Sequence, residues 1–122
     1  MEDVDIQLEG GEILEPLSGL EVIHTPGHTP GTICLFQPDR CLLTGDALRT
    51  SWQANPRPMS RRICLDLAQV RQSLIRISDL NYEVLLPGHG AVIKEKASTI
   101  IHAMVKRVTA KPLNTGKFLG IY

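Results

Sequence analysis

The chain has 122 residues, of which 43% are hydrophobic: enough to enclose one core and too few for a second domain. Thirteen Lys and Arg against thirteen Asp and Glu leave a formal net charge of zero, so no global field recruits nucleic acid or an anionic membrane. No apolar run approaches the roughly 20 residues of a bilayer span, and the stretch after Met1 lacks a basic segment leading into an apolar one, so neither membrane anchor nor signal peptide is expected.

Residues 4–8 alternate apolar and polar, and Gly10-Gly11 supplies a turn before residues 12–16, which reads as a short hairpin. Residues 20–24, 32–36, 41–44 and 83–86 are short runs rich in Val, Ile and Leu, bounded by Gly, Pro or Asp, and all four are expected to be strands. Pro38-Asp39-Arg40 joins the second of them to the third as a tight turn, so these two should pair antiparallel. Residues 49–62, with Pro56, Pro58 and few aliphatic side chains, read as a loop. Ile63, Leu67, Val70, Leu74 and Ile77 recur at steps of four and three and predict a helix over 63–79. Ala97, Ile100, Ile101, Met104, Val105 and Val108 do the same for a helix over 95–109, which Pro112 should stop. Residues 111–122 have no clear period. Cys34, Cys41 and Cys64 are odd in number, follow no Cys-x-x-Cys spacing and sit in apolar runs; they read as small buried hydrophobes in a reducing, cytoplasmic setting.

Several strands are apolar on nearly every residue, such as Ile33-Cys34-Leu35-Phe36 and Val84-Leu85-Leu86, the pattern of strands covered on both faces. Two amphipathic helices cover only one face of such a sheet. A second copy of the chain or a separate partner should cover the other.

Three strand ends carry groups capable of chemistry. His28 sits in a loop stiffened by two prolines and two glycines, Asp46 follows the apolar run Leu42-Leu43 and a glycine, and His89 follows Val84-Leu85-Leu86 and Pro87-Gly88. A lone histidine or aspartate in a loop is ordinarily a hydrogen-bonded turn residue. Three delivered by rigid strand ends in one small domain could converge on a point, as a coordination shell needs. Two imidazoles and a carboxylate suit zinc, with iron or manganese as alternatives. An iron oxygenase triad fits less well, because it keeps a His and an acid close in sequence, whereas His28 and Asp46 are eighteen positions apart.

The runs His24-Thr-Pro-Gly-His28-Thr-Pro-Gly, Leu43-Thr-Gly-Asp46 and Leu86-Pro-Gly-His89-Gly, in this order, resemble the last three metal motifs of the metallo-beta-lactamase superfamily, in particular its glyoxalase II-like members. The resemblance covers roughly residues 5–100. It implies that His28 ligates the first metal, that Asp46 bridges two metals as the catalytic carboxylate, and that His89 ligates the second. It further implies hydrolysis of a small-molecule substrate by a metal-bound hydroxide. The implied fold is α+β: half of an αβ/βα sandwich, a mostly antiparallel, mixed sheet with two helices on one face, residues 1–122 forming a single domain that is the C-terminal half. The superfamily's first motif, HxHxDH, does not occur among the 122 residues. The chain alone is therefore expected to hold one ion or none, against up to two in the intact family site, and to be inactive until completed by a missing N-terminal half. The alternative is a non-catalytic half-domain acting through dimerisation or partner binding.

Among the remaining residues, His24 is expected to be structural and His102 a solvated surface group. Arg57, Arg61 and Arg62 read as a solvated loop in preference to an anion site. Trp52 either packs over the site mouth or anchors its loop, and the sequence does not separate these. Thr25, Thr29 and Thr44 could orient the ligands or cap the turns.

Overall fold

The computed structural model of the chain describes residues 10, 11, 13, 14, 19–58 and 66–110. Its elements in chain order are β1 (Ile13–Leu14), β2 (Leu20–His24), β3 (Ile33–Gln37), β4 (Cys41–Gly45), β5 (Leu48–Thr50), β6 (Pro56–Pro58), α1 (Leu67–Ser78), β7 (Val84–Pro87) and α2 (Ala97–Thr109). One sheet has the order β1-β2-β3-β4-β7, antiparallel up to β4 and parallel between β4 and β7. A parallel neighbour needs a crossover, and residues 48–83, with the β5–β6 ribbon and α1, supply it.

The register decides which side chains share a face. Val22, Leu35, Leu43 and Leu86 form one cross-strand row, and Phe36, Leu42 and Leu85 form the next. Alternate residues point to opposite faces, so the second row, with Ile23 and Cys34, turns towards the helices. There it joins Val70, Leu74 and Ile77 of α1 and Ile101, Met104, Val105 and Val108 of α2 in one core. Tyr82 closes its end, with its ring edge-on to Phe36 at a centroid distance of 6.4 Å and its hydroxyl donating to the Ile77 carbonyl. The opposite face keeps its apolar character but is partly open. Ile33, Leu35, Leu43, Leu86 and Pro87 line a shallow depression of about 370 Å³ on it. The two helices thus cover one face of the sheet, as expected, and its other face is a half-exposed aliphatic surface.

Element ends depart from the sequence reading for identifiable reasons. The first long helix starts at Leu67, not at 63, because Asp66 has an extended φ of −146° and its carboxylate accepts from the Gln69 amide. Ile63 lies outside the described residues. The second helix starts at Ala97, not at 95. Its first amides have no local side-chain cap and are satisfied from across the chain: Lys96 N–H donates to Glu83 Oε1, Ala97 N–H to the Glu83 carbonyl and Ser98 N–H to the Tyr82 carbonyl. Ile100, read as part of the buried stripe, is 38% exposed, and the buried set is Ala97, Ile101, Met104, Val105 and Val108. The stretch 49–62 contains two strands where a loop was expected: β5 and β6 pair antiparallel, with Arg49 opposite Arg57. In a two-stranded ribbon both strands are edges, the position in which Pro56 and Pro58 are tolerated. Residues 4–8 of the expected hairpin lie outside the described residues, while Ile13–Leu14 pairs with β2.

Cys34 is fully buried and Cys41 half-buried, both free thiols, and Cys64 is outside the described residues. Burial pushes the Cys34 thiol from its ordinary 9.0 up to about 11, against an opposing hydrogen bond from Thr25. Between those values the unfolded chain has released a proton that the folded chain retains, so the thiol's contribution to stability falls as pH rises from 9.0 to about 11. At pH 8 an alkylating reagent is expected to modify Cys41 well before Cys34, as read by peptide mass spectrometry; equal rates would contradict the buried placement. Among the described residues no helix is long and apolar enough to cross a membrane.

Candidate metal centre

Each candidate ligand is carried by a turn at a strand's carboxyl end, and each turn depends on glycine. Gly45 ends β4 at φ +50°, and the register with β7 shifts between Leu43 and Gly45, an irregularity that re-aims the chain into Asp46. Gly88 follows β7, and its N–H donates to the Gly45 carbonyl at 3.1 Å. A Cβ at position 88 would lie 2.9 Å from that same oxygen, so only glycine lets the two turns approach backbone to backbone. The residues immediately after these two glycines are Asp46 and His89. His89 Nε2 lies 3.4 Å from Asp46 Oδ1, with side chains 68% and 51% exposed. A side-chain contact this exposed adds little stability by itself. It leaves both groups accessible to a cation or a ligand from outside.

His28 is held separately. The loop bearing it is clamped onto α1: Ser73 donates to the Pro26 carbonyl at 2.7 Å, the Asp66 amide to the Gly27 carbonyl at 3.0 Å, and Arg76 to the His24 carbonyl. Gly27 sits at φ +139° against Val70, where a Cβ would come within 2.5 Å of the Val70 amide nitrogen. His28 Nδ1 is buried and has no hydrogen-bond partner among the described residues. The structure thus brings Asp46 and His89 together and leaves His28 outside that pair: no three His, Cys, Asp or Glu side chains among the described residues are gathered as an ion would require.

The donor chemistry fits a metal in part. An unpartnered imidazole nitrogen and an adjacent, solvent-facing imidazole and carboxylate are groups a cation would satisfy. A closed shell of four needs further donors from beyond the described residues.

The supporting residues sort themselves as follows. His24 is structural in this arrangement, its Nε2–H donating to the Pro30 carbonyl at 2.7 Å. Thr29 and Thr32 bond one another across the His28 turn, and Thr25 reaches the Thr32 carbonyl and Cys34 Sγ. Thr44 is buried with its hydroxyl unpartnered among the described residues. Trp52 is 88% exposed at the turn of the β5–β6 ribbon, and His102 is exposed. Arg57 is exposed, and Arg61 and Arg62 are outside the described residues. The sequence reading passed over Thr50. It carried only the weak signal of a lone threonine in a stretch taken as loop, yet it braces the turn around His89.

A family model described as the metallo-beta-lactamase superfamily matches residues 1–89. The chain belongs to the metallo-beta-lactamase superfamily. Among curated relatives, it is 33% identical over 103 residues to a beta-lactamase-like protein 2 homolog of Caenorhabditis elegans, covering 81% of this chain and 32% of that protein. It is 34% identical over 77 residues to the lactamase-like protein aptB of Emericella nidulans, covering 62% of this chain and 22% of that protein. A solved archaeal superfamily protein from Sulfolobus tokodaii shares the fold at TM-score 0.67 and 24% identity, over 93% of this chain and 44% of that one. This superfamily member therefore spans between about a fifth and a third of those two curated relatives.

Proposed function

We propose that this chain supplies part of the active site of a metal-dependent hydrolase, with His28, Asp46 and His89 as its metal donors. The observation that carries the reading is the Gly45–Gly88 backbone contact, which sets Asp46 and His89 side by side, open to solvent. Zinc suits these donors, and iron or manganese is compatible with them. The chain alone would hold one ion at most, with two in a completed site. When bound, the metal supplies an acidified water and polarises the scissile bond of an ester, thioester, amide or phosphodiester. In this reading Asp46 would offer its carboxylate and His28 and His89 would each offer a ring nitrogen to the metal.

The half-exposed aliphatic face of the sheet supports the remainder of the proposal: a complementary half-domain, or a second copy of the chain, covers Leu35, Leu43 and Leu86 and brings the missing donors. The same surface supports the second reading, a non-catalytic half-domain that acts through dimerisation. Free Cys34 and Cys41 suit the cytoplasm as the place of action.

Elemental analysis of the purified chain tests the first reading. About one metal ion per chain is expected, with most of it lost in Asp46→Ala and in His89→Ala. A wild-type chain without metal, sedimenting as a dimer, would leave the second reading.

A further inference from the structure

We infer that Thr50 is a positioning residue for the metal site, fixing His89 relative to Asp46 through the β5–β6 ribbon; the inference rests on the reading of those two side chains as ligands. Thr50 is 7% exposed and grips the His89 turn on both sides of Gly90. Its N–H donates to the His89 carbonyl at 3.0 Å, and its hydroxyl donates to the Ala91 carbonyl at 2.5 Å. The next amide contact continues the strap, with Ala91 N–H donating to the Ser51 carbonyl at 3.3 Å. Gly90 adopts φ +102° and lies so close that a Cβ would stand 1.8 Å from the Thr50 carbonyl oxygen. The turn carrying His89 is thus wrapped around a single residue of β5.

That residue belongs to the segment that carries Asp46. The turn after Asp46 is closed by Ala47 N–H donating to the Thr44 carbonyl at 2.8 Å, and β5 begins at Leu48. The two ligand-bearing turns are therefore tied at two levels: directly by Gly88 to Gly45, and sideways by Thr50 to His89 and Ala91. One bond would leave the His89 turn free to pivot about the Gly45 contact, and the second set removes that freedom. Threonine is suited to the task because one residue spans both carbonyls, its amide taking one and its hydroxyl the other. Groups that orient metal ligands in this way ordinarily change affinity by about 10–100-fold when lost.

The test compares Thr50→Val, which keeps shape and removes the hydroxyl, with Thr50→Ser, which keeps the hydroxyl. Val105→Ala, a core truncation in α2 remote from both turns, controls for loss of stability. Zinc affinity is measured on the full chain by competition with a chromophoric chelator, and amide hydrogen exchange is followed in the metal-free proteins. Thr50→Val is expected to bind zinc at least about tenfold more weakly, Thr50→Ser to stay near wild type, and Val105→Ala to melt earlier with its zinc affinity unchanged. Wild-type affinity in Thr50→Val, or an equal loss in Val105→Ala, overturns the inference. If the wild type takes up no zinc, the ligand reading itself fails, and exchange decides the positioning role separately. Amides of residue 50 and Ala91, which donate to the His89 and Ser51 carbonyls, exchanging about tenfold faster in Thr50→Val uphold it, and unchanged rates overturn it.

Discussion

Replacing Gly90 with alanine is expected to destabilise the chain by about 3 kcal/mol or more, since it makes the closest clash of any Cβ added at a described glycine. Two independent causes add. The residue sits at φ +102°, a conformation that L side chains rarely adopt, and the new Cβ would stand 1.8 Å from the Thr50 carbonyl oxygen and 2.4 Å from its hydroxyl oxygen. No rotamer relieves a clash of Cβ with backbone, so the turn must move away from β5 and give up its bonds to Thr50. Chemical denaturation should show the midpoint displaced with the slope unchanged, provided that the variant still unfolds in one step. Gly31→Ala is the matched control, because a Cβ there meets nothing within 4 Å. A Gly90→Ala protein as stable as Gly31→Ala would show that the turn does not wrap Thr50 as described.

Leu42→Ala is expected to cost about 3 kcal/mol, whereas Leu43→Ala, one residue along the same strand, should cost about 1 kcal/mol in the isolated chain. Leu42 is fully buried between β4 and the helices, in register with Phe36 and Leu85, so truncation leaves a cavity walled by two layers. Leu43 is only half-buried and faces the open depression with Leu35 and Leu86, where water already stands in for part of its packing. The comparison also reports on what covers that face. If two copies or a complementary half-domain close over it, the cost of Leu43→Ala should rise towards that of Leu42→Ala and depend on protein concentration. Equal costs in a demonstrably monomeric chain would mean that the second face is covered from within this polypeptide.

Much of this was legible in the residues. Apolar runs bounded by Pro, Gly and Asp located β2, β3, β4 and β7, and spacing of three and four located both helices, because burying one face of an element leaves a period in its side chains. The ordered His28, Asp46 and His89 motifs pointed to the metallo-beta-lactamase superfamily, and the near-continuous aliphatic strands foretold a sheet with one face left over. Other features had no local signature. The β5–β6 ribbon is held by pairing across a turn and carries prolines, so its strands look like loop until Arg49 meets Arg57. The start of α2 is set by carbonyls of Tyr82 and Glu83 that only the folded chain brings near. Thr50 acquires its role from a turn some forty residues further on. The candidate donor groups were thus legible in the chain itself, since each motif is a contiguous strand, breaker and side chain. Their placement was decided by long-range contacts, the Gly88–Gly45 approach that sets Asp46 beside His89 and the bonds from Ser73, Asp66 and Arg76 that clamp the His28 loop onto α1, and no run of neighbouring residues encodes those.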